Sequence, residues 1–402
     1  MERFIRYAQI DTQSSGDSSI TPSTHSQFDL ANLLVSELKE FGILDAEVDQ
    51  NCYVMATLPA NCDFNTGIVG LIAHLDTSPS VSGKDVKPQI IESYQGGDLC
   101  LNKEAAIFLK ESECAELSGC KGHTLIVTDG TTLLGADDKA GVTAIMASIE
   151  YLIKNPHIKH GTVKIAFTPD EEIGKGADFF DIQKFGAQYA CTVDGGFAGE
   201  LNKETFSADE AIIEVYGRDI HPGTAKNIMI NSIRSIAEII AMLPPSMAPE
   251  HTENYEPFIH PLYLQGGVSH STLKLILRDF KTDGLKIQRQ ILENIIADVQ
   301  HKYSGVSITL KVNETYRNMR DALDKNPHVT ERLWNAAEKA GVSPFWSPIR
   351  GGTDGARLTA SGLPTPNMFT GSGNHHSVTE WLSVDALQKA VETIVNFVSV
   401  GN

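Results

Sequence analysis

Apolar runs and amphipathic stretches alternate through the first half of the chain. Residues 26–41 repeat leucines at helical spacing and are followed by a glycine, which predicts an amphipathic helix. Residues 67–73 are continuously apolar, which predicts a strand buried on both faces. Short runs at 162–168 and 189–193 predict two more strands, and residues 142–152 are helix-like. This alternation indicates an α/β domain.

The pattern changes at about residue 211. Strands are predicted at 211–217, 262–268, 273–279 and 306–312, and helices at 227–243 and 284–303. This β-α-β-β-α-β order is the ferredoxin-like pattern. Beyond about residue 319 the helix–strand alternation resumes, with helices predicted at 329–340 and 384–398 and a strand at 364–369.

Two domains follow from these patterns. We predict an α/β catalytic domain over residues 1–208 and 321–402, interrupted by an inserted α+β domain over residues 209–320. Within the first part, residues 78–122 are rich in Gly, Pro and polar residues and predict a long irregular insertion.

Acidic and imidazole side chains follow three of the predicted strands. His74 and Asp76 end the first, Glu171 and Glu172 follow the second, and Asp194 ends the third. In open α/β sheets, sites form outside the carboxyl ends of the strands. A single acid at a strand end is usually structural, but the repetition at three strands indicates a site.

A second acidic pair, Asp137-Asp138, lies in the loop of residues 133–141 at the predicted start of a helix. An Asp before a helix is commonly an N-cap. The second Asp, the following Lys139 and the acids elsewhere in the chain favour a functional loop instead.

Packed carboxylates repel one another unless a cation lies between them. Mixed imidazole and carboxylate ligands suit Zn²⁺, and also Mn²⁺ or Co²⁺, and one carboxylate can bridge two ions about 3.5–4 Å apart. In the Glu171-Glu172 pair, one residue can bind metal while the other acts as general base; the alternative is a solvated acidic turn. The candidate set is His74, Asp76, Asp137, Asp138, Glu171, Glu172, Asp194, His375 and His376.

Composition and net charge exclude some classes of partner. The 402 residues are 41% hydrophobic and 21% charged, as in an ordinary globular protein. A net charge of −18 argues against nucleic acid or an anionic membrane as partner. The six cysteines form no Cys-x-x-Cys pair, and the N-terminus lacks a long apolar stretch, so we expect a cytoplasmic protein with free thiols.

The motifs resemble those of the peptidase T (tripeptide aminopeptidase) family, within a superfamily of dizinc peptidases and amidohydrolases. They are His74-Leu75-Asp76-Thr77, the Gly- and Asp-rich loop of residues 128–141, Asp170-Glu171-Glu172-Ile173-Gly174, Val193-Asp194-Gly195-Gly196, His221-Pro222-Gly223-Thr224-Ala225-Lys226, Ile276-Leu277-Arg278-Asp279-Phe280 and Pro348-Ile349-Arg350-Gly351-Gly352-Thr353-Asp354-Gly355. The likeness runs from the N-terminal helix to the C-terminal one. The loop of residues 128–141 and the His221 motif are the most specific to the family.

The resemblance implies a ligand set for two zinc ions per subunit. Asp137 would bridge both ions. His74 and Asp194 would complete one ion, and Glu172 and His376 the other. His376 is preferred to His375 because it stands four residues before Glu380, as in the family's His-x-x-x-Glu pattern. The family more often has an aromatic residue where His375 stands.

The resemblance also assigns the remaining roles. Glu171 would be the general base, and Asp76 would orient the His74 imidazole. Asp138 would shape the turn, through an unusual peptide conformation that aims Asp137 inward. The implied fold is a catalytic domain with a central mixed sheet, interrupted by a ferredoxin-like lid and dimerisation domain.

In that inserted domain, His221 would stabilise the oxyanion of the tetrahedral intermediate, in its own or the partner subunit. Arg278 and Arg350 would bind the substrate carboxylate, for which a guanidinium fork is suited. Without the resemblance, a turn histidine and two arginines in surface or interdomain salt bridges would be an equal or better interpretation.

We therefore expect a homodimeric, zinc-dependent aminopeptidase that releases the N-terminal residue from tripeptides. The nearest alternative is a dipeptidase or an N-acyl amino acid deacylase of the same superfamily. A non-catalytic metal-binding scaffold would have lost a ligand or the base, and none is missing. A Mg²⁺ phosphatase-like site is disfavoured by the two histidine ligands and by the lack of a Gly-rich phosphate loop.

Overall fold

The structure, a computed structural model, describes residues 1–63 and 67–400. It divides into two units. The first contains Met1–Lys203, Asp321–Ser347 and Thr353–Asn402, and the second contains Glu204–Arg320 and Pro348–Gly352. The second unit thus begins at Glu204 rather than at the predicted residue 209, and it includes a segment expected in the catalytic domain. The reason is local pairing: Thr205 forms a parallel bridge with Ile349, and the Phe206 N–H donates to the Ile349 carbonyl at 3.1 Å.

A mixed sheet forms the centre of the first unit. Within the described residues its strands, in spatial order, are Glu47–Val48, Val54–Leu58, Val163–Thr168, Val69–His74, Tyr189–Gly195, Asn367–Phe369, Glu200–Asn202 and Phe345–Trp346. The strand Val69–His74 is buried along its whole length and pairs in parallel with a neighbour on each side. Its register places His74 opposite Thr168. The three strands predicted to end in acidic loops are therefore adjacent and parallel.

Helices and loops surround this sheet. The α-helices of the first unit are Glu2–Ala8, Gln27–Glu40, Ala136–Lys154, Ile182–Phe185, Pro327–Lys339, Asp354–Ala360 and Val384–Val398, with Arg320–Leu323 at the boundary between the units. The helix Ala136–Lys154 packs on the central strands and buries Val142, Ile145 and Ile149 in the largest hydrophobic cluster. No helix among the described residues has the length and apolar character needed to span a lipid bilayer.

The predicted irregular insertion contains short elements that residue pattern alone did not reveal. Gln89–Ile91 joins a small sheet with Leu125–Val127, Trp381–Ser383 and Ser372–Gly373. Leu99–Asn102 and Ile107–Leu109 form a hairpin, followed by 3-10 turns at Glu111–Glu113 and Ala115–Cys120. Strands of three or four residues are too short to give a readable alternation.

The second unit has the predicted ferredoxin-like order. Its antiparallel strands, in spatial order, are Phe258–Gly266, His270–Asp279, Ser207–Tyr216 and Ser307–Tyr316, with helices Ser232–Met242 and Thr282–Lys302. The first of these helices begins five residues later than predicted, because the Asn231 side chain accepts the Ile233 N–H at 2.9 Å and caps it. The α/β fold class with an inserted α+β domain is confirmed.

Candidate metal centre

The carboxyl edge of the central sheet gathers the predicted acidic and imidazole side chains. His74 is the last residue of its strand, and Asp194 lies near the end of the neighbouring strand Tyr189–Gly195. On the other side, Val163–Thr168 leads into the turn Glu171–Ile173. Because these strands are parallel neighbours, the three loops meet at one edge.

Asp137 lies between two histidines. Its Oδ1 is 2.9 Å from His74 Nε2, and its Oδ2 is 3.1 Å from His376 Nε2. A carboxylate with one imidazole at each oxygen has the arrangement expected of a residue that bridges two cations.

Each histidine also faces a second carboxylate. Asp194 Oδ1 is 3.6 Å from His74 Nε2, and Glu172 Oε2 is 2.8 Å from His376 Nε2. We call His74 with Asp194 the inner half of the site and Glu172 with His376 the outer half, with Asp137 between them. The structure therefore brings together all five residues that the sequence suggested as ligands.

The loop that carries Asp137 is held by a distant glutamate. The buried Glu380 accepts the N–H groups of Leu134 and Gly135 at 2.8 and 2.7 Å, and that of Asp137 at 3.0 Å. In the sequence, Glu380 served only as a spacing marker. The only sequence feature that indicates burial of Glu380 is the neighbouring apolar Trp381.

Asp138 makes its hydrogen bonds to the backbone. It is fully buried, and its carboxylate accepts the His74 N–H and the Gly141 N–H, each at 3.1 Å. The peptide bond between Asp137 and Asp138 is cis. The two acids of the pair thus point to different partners: Asp137 toward imidazoles, and Asp138 toward the start of the helix and the end of the strand.

Asp76 holds the turn that contains Glu171 and Glu172. The Asp76 carboxylate accepts the N–H groups of these two residues at 2.9 and 3.2 Å. The His74 Nδ1 lies 3.0 Å from the Asp76 carbonyl oxygen and 3.4 Å from its carboxylate. Asp76 therefore orients the imidazole through its backbone at least as closely as through its side chain, which the sequence did not suggest.

Asp170 anchors the same turn to the N-terminal segment. Its carboxylate accepts the Ser23 N–H and the Gln27 side-chain amide, both at 2.7 Å, and its own N–H donates to Gln27 at 3.2 Å. Asp170 is fully buried and has a positive φ of 58°. This network was not found from the sequence, because its two parts are separated by about 140 residues along the chain.

Burial raises the pKa of several carboxyls at the site. It raises the pKa of Glu172 to about 8, with help from the Asp137 charge, and raises that of Asp354 to about 7. It also raises the pKa of Glu171 well above its usual range, and that of Asp194. A cation that lies among buried carboxyls with raised pKa values stabilises their anionic forms.

Asp137 behaves differently. Burial works against its charged form, but the imidazoles of His375, His376 and His74 outweigh burial and hold its pKa well below the usual range. The hydrogen bonds to Asp137 and Glu172 in turn raise the pKa of His376 to about 10. The imidazoles around Asp137 therefore favour its anionic form.

The residues present fit a pair of divalent metal ions. Oxygen and nitrogen atoms of His74, Asp137 and Glu172 lie close enough to share a cation. Those of His74, Asp138 and Asp194 are also close together, but the Asp138 carboxylate already accepts two backbone N–H groups. Glu172 Oε1 is buried and, among the described residues, has no hydrogen-bond partner. A buried carboxylate oxygen without a donor is costly unless a cation occupies that position.

The three residues predicted to contact substrate lie in the second unit. The Gly223 N–H donates to His221 Nδ1 at 3.1 Å, which leaves the ring proton of neutral His221 on Nε2. Arg350 donates to the carbonyls of Asn254 and Glu256 at 2.8 and 3.0 Å. Their roles toward substrate stay predictions.

Arg278 is placed close to Arg350. Its Nη1 donates to the Arg350 carbonyl at 3.0 Å, and its guanidinium lies over the rings of Phe258 and Tyr316. Arg278 Nε is buried without a hydrogen-bond partner among the described residues. Within residues 1–63 and 67–400, neither arginine makes the salt bridge that was the alternative interpretation of the sequence; both stack on aromatic rings within their unit.

A mixed α/β sheet with a carboxylate–imidazole cluster at its carboxyl edge is the arrangement expected of a metal-dependent hydrolase. Residues 125–399 match the family model described as Peptidase family M20/M25/M40. The chain is also 50% identical over 400 residues to Peptidase T of Geobacillus kaustophilus. That alignment covers 100% of this chain and 97% of that relative. The chain belongs to the M20/M25/M40 peptidase family, and curated relatives about 50% identical to it over its whole length are named Peptidase T.

Solved structures agree on the fold. The crystal structure of the aminopeptidase PepT from Bacillus cereus matches with a TM-score of 0.75 at 23% identity, covering 99% of this chain and 97% of that one. The Bacillus subtilis YXEP protein, described as a dinuclear metal-binding peptidase from the M20 family, matches with a TM-score of 0.66 at 14% identity, covering 99% of this chain and 97% of that one.

Proposed function

We propose that this protein is an aminopeptidase that removes the N-terminal residue from tripeptides. The observation that carries the proposal is the Asp137 carboxylate, which has His74 at one oxygen and His376 at the other. Full-length similarity to Peptidase T supports the choice of a tripeptide over a dipeptide or an N-acyl amino acid.

The metals we propose are two zinc ions per subunit. His74 and Asp194 would hold one ion, Glu172 and His376 the other, and Asp137 both. Nitrogen and carboxylate donors together are typical of zinc sites. When bound, such ions polarise the scissile carbonyl and make a water molecule acidic enough to attack it.

Glu171 is the residue we assign as general base. It follows the buried Asp170 and precedes the ligand Glu172, and its backbone N–H is fixed by Asp76 at 2.9 Å. In this position Glu171 would remove a proton from the attacking water and return it to the leaving amine.

Substrate recognition is assigned to the second unit. Arg278 and Arg350 would bind the peptide carboxylate, since Arg278 Nε is a buried donor with no partner among the described residues. His221 would donate from its exposed Nε2 to the oxyanion.

We also propose a homodimer formed through the inserted unit. The strand Phe258–Gly266 is at an edge of the antiparallel sheet, and three consecutive residues on it, Leu262, Tyr263 and Leu264, are exposed. An open apolar edge strand can pair with the same strand of a second copy. Changing Leu262 and Leu264 to Lys should convert a dimer to a monomer in analytical ultracentrifugation; a wild-type monomer would contradict this assignment.

The cytoplasm is the compartment we propose. All six cysteines are free, and Cys52, Cys114, Cys120 and Cys191 are buried as thiols. Free thiols are typical of proteins from reducing compartments.

Glu171→Gln tests the proposed function. The variant should keep both metals and lose roughly 100- to 10,000-fold in kcat on tripeptides, because the proton carrier is gone. Glu40→Gln, at the exposed end of helix Gln27–Glu40, is the matched control and should behave as wild type. The assay should include dipeptides, tetrapeptides and N-acyl amino acids. Preference for one of these over tripeptides, or near wild-type turnover by Glu171→Gln, would contradict the proposal.

A further inference from the structure

His375 lies beside the bridging carboxylate and has no part in the roles assigned above. Its Nδ1 is 3.6 Å from Asp137 Oδ2, the same oxygen that faces His376. Its other nitrogen, Nε2, is 2.8 Å from the Ser372 hydroxyl. The side chain is 29% exposed, so it stands between the buried and the open parts of the site.

A chain of hydroxyl groups fixes which nitrogen of His375 carries the proton. Thr370 Oγ1 donates its hydrogen to the Gly195 carbonyl at 2.7 Å. Since that hydroxyl has only one hydrogen, its 2.7 Å contact with Ser372 requires Ser372 to be the donor. The Ser372 oxygen then accepts from His375 Nε2. The neutral ring therefore has its proton on Nε2 and a lone pair on Nδ1.

This tautomer places two acceptors face to face. His375 Nδ1 and Asp137 Oδ2 are 3.6 Å apart, beyond hydrogen-bond distance, so neither atom is satisfied by the other. The buried Glu172 Oε1 at the same half of the site also lacks a donor among the described residues. A cation bound beside Asp137 Oδ2 would satisfy acceptors of this kind.

We propose that His375 Nδ1 is an additional nitrogen ligand of the outer metal position, next to Asp137 Oδ2, Glu172 and His376. This inference rests on the metal centre of the proposed function. A second imidazole would strengthen the half of the site that contains the more exposed histidine, His376. It would also favour zinc or cobalt over magnesium or manganese, which prefer oxygen ligands.

The His375–Ser372–Thr370 chain provides a hydrogen-bond acceptor for Nε2, the His375 nitrogen that faces away from Asp137. Metal-binding histidines usually donate their second ring N–H to an oxygen, which fixes the tautomer and the ring orientation. Here that oxygen is the Ser372 hydroxyl, and the chain ends at Gly195, next to the inner ligand Asp194. His375 is thus held as a ligand would be.

Cobalt(II) titration of the full chain, followed by visible absorption and by chelator competition, tests the inference. His375→Phe should keep the affinity of the first cobalt ion and weaken binding of the second by about 10- to 100-fold. It should also change the absorption of the second ion, because one nitrogen donor is lost. Ser372→Ala, which keeps the ring but frees the tautomer, should give a smaller loss. His157→Phe, at an exposed loop histidine, is the control.

His375→Gln is a second variant that keeps the test informative if His375→Phe does not fold. In addition, proton–nitrogen correlation NMR of histidine-labelled protein should show a change at His375 Nδ1 when the second ion binds. Unchanged affinity and absorption in His375→Phe and His375→Gln, with two ions bound by wild type, would overturn the role of His375 alone. A wild-type chain that binds fewer than two ions would contradict both this role and the proposed metal centre.

Discussion

The inner and outer halves of the site are built in different ways. The inner half, His74 and Asp194, comes from the ends of adjacent parallel strands, and the His74 side chain is only 2% exposed. In the outer half, Glu172 comes from a 3-10 turn and His376 from a loop with a positive φ, and the His376 side chain is 43% exposed. The inner half is thus built from the ends of sheet strands, whereas the outer half is built from a turn and a loop outside the strands.

This difference has a functional meaning. Strand ends in a packed sheet are positioned by many neighbours, so the inner half is preorganised. In the outer half the His376 side chain is accessible, and Glu172 and His376 come from two separate segments outside the strands. We therefore expect the inner ion to be retained more tightly and the outer position to be where a substrate enters and where metal exchanges.

Asp137→Ala should have the largest effect, because it removes the one residue shared by both halves. Both metals should be lost, and tripeptide turnover with them, as measured by metal analysis and peptide assay. Asp17→Ala, in an exposed loop, is the control. An Asp137→Ala protein that kept two metals would show that the halves are independent sites.

His74→Ala and His376→Ala compare the two halves directly. Each variant should lose affinity for one ion, but chelator titration should show that His376→Ala retains the tighter ion and His74→Ala the weaker one. The reason is the unequal burial of the two imidazoles. Equal affinities for the ion that remains would remove the distinction between an inner and an outer half.

Asp138→Ala should have the smallest effect on metal. Its carboxylate accepts two backbone N–H groups, which would be left buried and unpaired, so the free energy of unfolding should fall by about 1–3 kcal/mol. Metal content should stay near two per chain. Urea denaturation and metal analysis of the same sample check both statements, and loss of both metals would mean that Asp138 and Asp137 act together.

The central strands could be predicted from the sequence because continuously apolar runs mark strands buried on both faces. Val54–Leu58 was missed: its residues alternate between buried and half-buried over only five positions. The helix Ala136–Lys154 was predicted to start at residue 142, because its first turn carries the acids Asp137 and Asp138, whose backbone is not helical.

For the site, the sequence suggested the ligands but not what positions them. The three N–H groups held by Glu380 lie more than 240 residues away along the chain, and no periodicity links them. The stacking of Arg278 and Arg350 on Phe258 likewise depends on how three separate segments of the second unit pack. Such contacts depend on the tertiary structure and leave no local pattern in a single sequence.

The most direct test of a two-metal tripeptidase is metal analysis of the purified chain together with tripeptide turnover before and after chelation. The account predicts two metal ions per chain, loss of turnover on chelation, and recovery when zinc is returned. Tripeptide turnover that is indifferent to complete removal of metal would contradict it.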